Sequence, residues 1–472
     1  MIYRIAVGLL ITLSWISCTP KDEILLTEAV NLQFSTDTVF FDTLFTDELS
    51  ITRRLKVYNP EDKAVLIDEV RLSEGQSSPY SLKINGQEGK SFGPLQLLGG
   101  DSLLILLEVT LPVTTEAEPY LAEDAVITVN KGLRQQVPVI GYGQNAERIT
   151  TTDLDCNTTW SSIIPYVIEG TVRVLPNCQL TIDKGTRIYF KPGSSLQIAG
   201  TLIAEGDSAL SDQIIFRNFR LDPAYDQPGQ WRGLNFLVGT KENFLKYCQI
   251  RNAIIGIQLG SPDEDAIPEI TLENCQLINH YTAGILAFGS DLKATNTLVA
   301  NCLGPAVAGL AGGNYEYIHC TFVNYFRGSV SRELPTAFFA DIYQAQDENG
   351  EVLTFADNLD LTMQNSIVWG NLFEGEEWAF DFSGGQTITL GINNNLLRTT
   401  QELLVTDNKT STQRDFPQFT DTGDLNFTPD ETSPARDTGL LLGIEKDLIG
   451  AKRDAQPDIG ALEYLPLPPG DQ

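Results

Sequence analysis

Acidic side chains in two loops are the residues best suited to hold a hard cation. Asp222 and Asp226 lie in a loop rich in proline and tyrosine that runs from 221 to 229, and Asp263, Glu264 and Asp265 form a second loop. Calcium takes about six to eight oxygen ligands, which such loops supply, although neither loop has EF-hand spacing. We therefore predict calcium ligands at 263–265, with a solvated acidic loop as the alternative.

Arginines near the first acidic loop could supply acid–base chemistry. Arg232 and Arg251 follow the loop in the chain and, with Asp222 and Asp226, make up the candidate catalytic set. Carboxylates and guanidinium groups that converge in one groove can bind a charged sugar and move its protons. No spacing singles out one of these groups as a base, so catalysis stays one of several hypotheses.

Aromatic side chains in the same stretch offer a way to bind sugars without turnover. Tyr225 and Trp231 are the candidate binding residues, because an exposed ring can stack on the apolar face of a sugar. The alternative is that these rings are buried and hold the loops onto the fold.

Other catalytic motifs are absent from the sequence. There is no phosphate-binding or dinucleotide motif, no G-x-S-x-G elbow and no H-E-x-x-H zinc motif. Only two histidines occur, His280 and His319, and we expect structural or exposed roles for both, with His319 pointing outward. This shortage of histidine counts against a histidine-rich transition-metal site.

Composition limits the class of protein. The 472 residues include 62 acidic and 32 basic side chains, for a net charge of −30, and 42% are apolar. This apolar fraction is enough for packed cores, and the length predicts two to four domains, at roughly 100–200 residues each. The negative charge repels phosphate backbones, so we expect no nucleic-acid partner.

The N-terminus predicts a lipid anchor. Residues 1–17 carry one arginine and an apolar run too short for a membrane span, which is typical of a signal peptide. The segment from Trp15 to Cys18 resembles a bacterial lipobox, which implies lipidation of Cys18, here by fatty acyl chains such as palmitate. Within the lipidated linker 18–24, Lys21, Asp22 and Glu23 resemble an export signal for the outer face of the outer membrane. We expect an anchored, surface-exposed protein whose remaining chain is soluble.

Six further cysteines remain after Cys18. No C-x-x-C pair occurs, so zinc-type spacing is absent. An exterior location permits disulfides, and Cys156 with Cys178 is the one pair considered for a bridge.

Residues 25–147 alternate short β-type runs with turn residues, as in 54–58, 80–84 and 103–109. This pattern predicts an antiparallel β-sandwich. It resembles the immunoglobulin-like domains that bacterial surface proteins place next to an anchor, and we expect it to act as a spacer.

A repeat organises residues 150–430. The segment 247–252 (YCQIRN) is echoed at 274–279 (NCQLIN) and 319–324 (HCTFVN), with weaker copies whose central residues are Leu298, Ile367 and Leu396. Intervals of 20-odd residues predict a solenoid of stacked coils. In such a stack the repeated cysteines form an interior ladder, and Asn252, Asn279 and Asn324 mark left-handed turns.

These patterns resemble the right-handed parallel β-helix family, the pectate-lyase-like solenoids, and 229–236 (GQWRGLNF) is similar to a segment of its bacterial members. The resemblance implies an all-β fold: a right-handed parallel β-helix solenoid preceded by the antiparallel sandwich. Lyases of this family typically pair calcium-binding acids with a Lys or Arg that removes a proton beside a uronic carboxylate. Residues 431–464 resemble the family's closing segment and are predicted to cap the last apolar layer, before a disordered tail at 465–472.

The function expected from the sequence is binding of an extended glycan, or a structural role in the cell envelope. The alternatives are a polysaccharide lyase or glycoside hydrolase, and an adhesin. We expect a monomer whose partners are the outer membrane, through its lipid, and a polysaccharide.

Overall fold

The computed structural model describes residues 21–260, 267–326, 332–373 and 375–466. The chain divides into two compact units, with the boundary between Asn145 and Ala146. Among the described residues, helices are confined to single turns: 3-10 turns at Lys21–Glu23, Gly75–Ser77, Leu210–Asp212 and Pro223–Tyr225, and one α-helix, α1, at Glu402–Val405. None of the helices in these ranges has the length and hydropathy to cross a bilayer. The all-β class is therefore confirmed.

Unit 1 contains strands β1 to β12. Their bounds are β1 Gln33–Phe34, β2 Val39–Phe45, β3 Arg53–Tyr58, β4 Val65–Ile67, β5 Glu69–Leu72, β6 Tyr80–Ile84, β7 Gln87–Gly89, β8 Ser91–Phe92, β9 Leu95–Leu97, β10 Ser102–Val109, β11 Tyr120–Asn130 and β12 Leu133–Gln144. One five-stranded sheet has the order β1-β3-β10-β6-β7, the other β2-β12-β11-β5-β8, and β4 pairs with β9. All pairings are antiparallel except β2 with β12.

Alternating apolar residues from both sheets build the core of unit 1. Leu55 and Val57 of β3 are fully buried while the residues between and beside them face solvent. Phe41 of β2 packs against Tyr80 of β6, with ring centroids 5.6 Å apart. Because β2 and β6 belong to different sheets, the two sheets enclose one core, as a sandwich requires.

Unit 2 contains strands β13 to β43. Their bounds are β13 Glu147–Asp153, β14 Thr158–Trp160, β15 Tyr166–Val174, β16 Gln179–Ile182, β17 Arg187–Phe190, β18 Ser195–Ile198, β19 Thr201–Glu205, β20 Ile214–Asn218, β21 Gly233–Phe236, β22 Asn243–Lys246, β23 Cys248–Arg251, β24 Ile255–Leu259, β25 Ile270–Glu273, β26 Gln276–Ile278, β27 Ala283–Phe288, β28 Asp291–Thr295, β29 Leu298–Ala300, β30 Val307–Leu310, β31 Gly313–Ile318, β32 Thr321–Asn324, β33 Ala337–Ala340, β34 Ile342–Gln346, β35 Val352–Ala356, β36 Leu359–Gln364, β37 Ile367–Gly370, β38 Trp378–Asp381, β39 Ile388–Asn393, β40 Leu396–Leu397, β41 Lys409–Thr410, β42 Phe419–Asp421 and β43 Asn426–Pro429.

The coils of unit 2 stack into a parallel solenoid with three faces. Face 1 comprises β17, β20, β23, β26, β29, β32, β37 and β40, and face 2 comprises β18, β21, β24, β27, β30, β33 and β38; the two faces belong to one 18-stranded sheet. Face 3 is the nine-stranded sheet β14-β16-β19-β22-β25-β28-β31-β36-β39. Each strand pairs in parallel with its equivalent one coil on, so the β-helix architecture with a preceding sandwich is confirmed.

In-register apolar residues fill the solenoid interior. Along face 1 the central column is Ile188, Phe216, Ile250, Leu277, Val299, Phe322, Val368 and Leu397, all fully buried. The weaker repeat copies were therefore aligned one residue too early, at Leu298, Ile367 and Leu396. Those three point outward from the column, because a one-residue slip moves a side chain to the other face.

A column of left-handed residues turns the chain from face 3 to face 1. Tyr247, Asn274, Asn296, His319, Asn365 and Asn394 have φ between 45° and 56°. Asparagine tolerates this conformation better than most residues, which explains its recurrence. The predicted turns at Asn252 and Asn279 are also left-handed, with φ of 64° and 62°. Asn324, which ends β32, is not left-handed. The equivalent position one coil earlier is Asn301, and this residue makes a left-handed turn with φ of 56°.

The cysteines are structural in this fold. Cys156 and Cys178 form a disulfide, as considered from the sequence. Cys248, Cys275, Cys302 and Cys320 are free and buried. Burial raises the pKa of the Cys302 and Cys320 thiols to about 12, which keeps them protonated.

Residues 411–464, which we call the C-terminal strap, run along the side of the solenoid. The Asn394 amide donates to the Thr438 carbonyl, Asn365 to Leu440, and Asn296 to Lys446. The strap also buries outward-facing apolar residues of face 1, including Trp369, whose ring stacks on Phe416 at 5.7 Å. The cap predicted at 431–464 is thus corrected: these contacts lie across the coils rather than over the last one.

Candidate functional site

A column of three amide side chains lies on the outer side of face 2. Gln197, Asn235 and Gln258 are register partners on β18, β21 and β24. Each is partly exposed, and its strand neighbours are buried, so the amides point away from the core. Within the described ranges these amides make no hydrogen bond to another protein group. Parallel strands lie about 4.8 Å apart, so the column presents evenly spaced donors and acceptors.

The polar column leads into an aromatic pocket at the edge of face 2. The pocket, of about 260 Å³, is lined by Val238, Gln258, Gly260, Phe288, Ala311, Tyr343 and Phe355. Phe288 belongs to β27, and the two other rings come from the antiparallel hairpin β34–β35. This hairpin is inserted in the chain between β33 and β36.

The aromatic rings pack against one another yet stay accessible. Phe288 meets Tyr343 edge-on with centroids 5.0 Å apart, and Tyr343 stacks on Phe355 at 6.4 Å. Phe355 remains 45% exposed. An apolar pocket with one convergent amide, Gln258, can hold a ligand that has an apolar face and a hydroxyl edge.

A second polar site surrounds Asp226, where the loop between β20 and β21 folds onto face 1. The Asp226 carboxylate lies 3.8 Å from Arg217 Nη2 and 3.6 Å from Arg251 Nη2. Asn252 Nδ2 donates to Asp226 Oδ1 at 2.7 Å. Burial lowers the pKa of Arg251, and the neighbouring Arg217 lowers it further while Asp226 opposes the shift.

The structure brings together only part of the predicted catalytic set. Asp226 and Arg251 form an ion pair. Asp222 caps the 3-10 turn Pro223–Tyr225 by accepting from the Ala224 backbone N–H at 2.9 Å. Arg232 is exposed, and its backbone N–H donates to Ser194. The structure thus places Asp226 beside Arg251 and Arg217, and catalysis by these groups stays a prediction.

The prediction that Trp231 binds sugar is wrong, because its ring is fully buried. It stacks on Phe190 with centroids 3.9 Å apart, and its Nε1 donates to the Arg251 carbonyl at 2.7 Å. Tyr225 is partly exposed, but the guanidinium of Arg220 lies 4.8 Å from its ring centroid and donates to its hydroxyl. The ring face of Tyr225 is therefore shared with an internal cation.

Both histidines are buried, so the outward position expected for His319 is wrong. The His319 Nε2 lies 2.8 Å from Asn365 Nδ2, and the ring lines a cavity of about 270 Å³ beneath the C-terminal strap. Burial lowers the pKa values of His280 and His319 to about 3. Both rings are thus neutral at physiological pH.

Several predicted residues lie outside the described residues: the signal peptide 1–17, Cys18 and the calcium candidates Asp263, Glu264 and Asp265. Lys21, Asp22 and Glu23 form an exposed or half-exposed 3-10 turn, and Lys21 pairs with Asp62 at 2.7 Å. Among the described residues, no group of three or more His, Cys, Asp or Glu is arranged to hold a metal ion.

The pocket residues Phe288, Tyr343 and Phe355 were missed from sequence. Phe288 alternates with buried residues of β27, but the hairpin strands β34 and β35 show no such alternation around Tyr343 and Phe355. Which outward residues of distant strands meet depends on coil register, which one sequence does not display.

Comparison with known proteins assigns no family to the chain. No family model matches it, and no curated protein sequence matches it. Among solved structures, a family 123 glycoside hydrolase from Clostridium perfringens aligns with a TM-score of 0.18 and 7% identity over 26% of this chain and 30% of that one. The Salmonella enterica SafA pilin in complex with the SafB chaperone aligns with a TM-score of 0.17 and 11% identity over 25% of this chain and 57% of that one. Likeness at this level carries no argument.

Proposed function

We propose that the protein is a surface-exposed outer-membrane lipoprotein whose solenoid binds an extended glycan along face 2. The observation that carries this proposal is the aromatic pocket of Phe288, Tyr343 and Phe355 at the end of the amide column. Rings bind the apolar face of a sugar, and free amides bind its hydroxyls in pairs of donor and acceptor. The alternative of a purely structural role leaves these features unused.

The column also supports an elongated ligand. Gln197, Asn235 and Gln258 repeat at the coil spacing, so a polymer that lies along the solenoid axis meets an amide on each of three successive coils. Many weak contacts of this kind add up along one chain. A short oligosaccharide should therefore bind more weakly than a polymer of the same sugar.

Binding can be tested by affinity electrophoresis and calorimetry against neutral and acidic polysaccharides, with and without calcium. Phe355→Ala and Gln258→Ala should each weaken binding of the polymer that the unaltered protein retains. Phe373→Ala is the matched control, because that ring is 90% exposed and lies outside the pocket. Equal retention by all three variants would place the ligand elsewhere.

The anchor is proposed from residues 1–23. Cys18→Ala should abolish the partition of the protein with membranes. External protease added to intact cells should digest the protein if Lys21, Asp22 and Glu23 direct export, and replacement of all three by alanine should protect it. Protein that still partitions with membranes after Cys18→Ala would argue against lipidation.

A second candidate function is a polysaccharide lyase, favoured by the pairing of Asp226 with Arg251, whose pKa is lowered. A lyase releases unsaturated sugars that absorb in the ultraviolet. Appearance of that absorbance with a uronic polymer, and its loss in Arg251→Lys, would establish turnover, whereas retention without product supports binding.

A further inference from the structure

Two arginines stand side by side on the outer side of face 1. Arg217 is the second-last residue of β20, just before Asn218, and Arg251 is the last residue of β23. The register that pairs Phe216 with Ile250 makes these arginines direct neighbours on adjacent coils. Strands in a sheet lie about 4.8 Å apart, and like charges placed directly opposite destabilise the pair.

One carboxylate serves both arginines. Asp226 lies 3.8 Å from Arg217 and 3.6 Å from Arg251, which is longer than a hydrogen bond of about 2.7–3.2 Å. Neither guanidinium makes a hydrogen bond to a protein group in the part of the chain that the structure describes. The trio therefore carries one surplus positive charge on a strongly acidic protein, with its donors unused.

The trio is open to solvent on one side. The side chains of Arg217, Arg251 and Asp226 are 25%, 23% and 38% exposed. Farther along the solenoid the C-terminal strap covers the corresponding row of face 1, where Val323 and Trp369 are buried. The coils of Arg217 and Arg251 thus expose polar donors, because the outward-facing residues of face 1 are charged there and apolar farther along.

We propose that Arg217 and Arg251 form a site for an oxyanion, the carboxylate or sulfate of an acidic sugar in the bound glycan. Paired guanidiniums offer parallel donors that match the oxygens of such a group. In the free protein Asp226 partly neutralises the arginines, and the ligand's anion completes the hydrogen bonds that Asp226 is too distant to make. This assignment rests on the proposed glycan function and specifies that the glycan is acidic.

The site lies beside the polar column on the same coil. Arg251 precedes β24, which carries Gln258. From Ile255 to Gln258 the strand rises about 10 Å. The chain turns at Asn252 between Arg251 and β24, so a glycan that contacts both the arginine pair and Gln258 must extend across this turn.

A different role for Asp226 predicts a different change in polymer affinity when Asp226 is replaced by asparagine. If Asp226 only tethers the loop to the arginines, Asp226→Asn should loosen the loop and leave polymer affinity unchanged or lower. If the arginines bind an anion, Asp226→Asn removes a competing charge and should tighten binding about fivefold, as expected for one Coulomb pair near 4 Å in water.

The test uses the full-length protein purified in detergent and three polymers: polygalacturonate, dextran sulfate and neutral dextran. Arg217→Gln should weaken binding of the acidic polymers about tenfold or more, the effect of losing one charged hydrogen-bonding group. Arg232→Gln is the matched control, because Arg232 is an exposed arginine just before β21, on the same coil as Arg217. Preference for polygalacturonate or for dextran sulfate distinguishes carboxylate from sulfate recognition.

The outcomes separate this assignment from the proposed function. Tighter acidic-polymer binding by Asp226→Asn with weaker binding by Arg217→Gln supports it, even if Phe355→Ala has no effect and the pocket proposal fails. Unchanged or weaker binding by Asp226→Asn, with an unaltered melting temperature, overturns it. If Asp226→Asn melts lower, inorganic sulfate should still raise the melting temperature of the unaltered protein more than that of Arg217→Gln, and equal rises overturn the assignment.

Discussion

Replacement of Glu377 by glutamine should be among the most destabilising single changes in unit 2. Glu377 precedes β38, and its side chain is fully buried. The side chains of its partners Arg332 and Arg398 are at most 9% exposed. Its carboxylate accepts from Arg332 Nη2 at 2.8 Å and Arg398 Nη1 at 3.2 Å, and also from Thr336 and Leu372. Removing the charge leaves two buried cations without an acid.

The expected loss follows from that imbalance. Breaking a buried ion pair typically costs about 3–5 kcal/mol, because an uncompensated charge stays in the interior. Arg398 also donates to the Gly370 and Leu372 carbonyls, which softens the loss. We therefore expect about 3 kcal/mol from Glu377→Gln.

Urea unfolding followed by tryptophan fluorescence measures this change. Four of the five tryptophans belong to unit 2, and Trp378 adjoins Glu377. Glu316→Gln is the control: Glu316 pairs with Lys293 at 3.4 Å, both side chains are about half exposed, and such pairs contribute at most about 1 kcal/mol. If the two variants unfold at the same urea concentration, the buried network does not stabilise the solenoid as argued.

Three further changes test other features. Cys178→Ser opens a disulfide that closes a loop with a sequence separation of 22, and should cost about 3 kcal/mol in urea unfolding; no difference from the oxidised protein would contradict this. Burial lowers the pKa of His319 to about 3 from an ordinary value near 6.5, so its contribution to stability is present above pH 6.5 and is lost, by up to about 1.4 kcal/mol per pH unit, as pH falls toward 3. His319→Asn keeps a residue type found in the left-handed column and should flatten the fall in melting temperature between about pH 6 and pH 4, with the remaining slope due to His280 and to carboxyl groups whose pKa values are shifted, such as Glu463; an unchanged slope would refute it. Asn365 has φ of 49°, so Asn365→Ala should unfold about 1 kcal/mol more easily than Asn365→Gly, which loses the same side-chain contacts without the left-handed strain; equal midpoints would show that the turn relaxes.

The repeat predicted from sequence was aligned correctly where polar and apolar side chains alternate. It was misaligned by one residue where they do not. Gln249 and Arg251 flank Ile250, and Gln276 precedes Leu277, so polar neighbours mark these two residues as pointing inward. In β29, β32 and β37 every residue is buried, because the strap covers the outer side. Continuous apolar runs carry no period of two, so Leu298 was taken for Val299.

The burial of several polar and aromatic side chains could not be predicted from the sequence. His319 alternates outward, yet strap residues line the cavity around it, and Trp231 precedes β21, yet its ring enters the core against Phe190. The pocket depends on a hairpin that reaches back from β34 to β27, across coils far apart in sequence. Such contacts follow from register and from long insertions, which no local pattern encodes.

The C-terminal strap changes how this solenoid should fold and fail. Simple repeat arrays unzip from either end, because each coil touches only its neighbours. Here a segment that follows every coil in the chain ties together turns from Asn274 to Asn394. During synthesis the coils must stack before these ties exist, so the emerging chain passes through a loosely held stage. Once the strap is seated, partial fraying from the C-terminal end is blocked, and loss of the strap should return the stack to gradual, coil-by-coil unfolding.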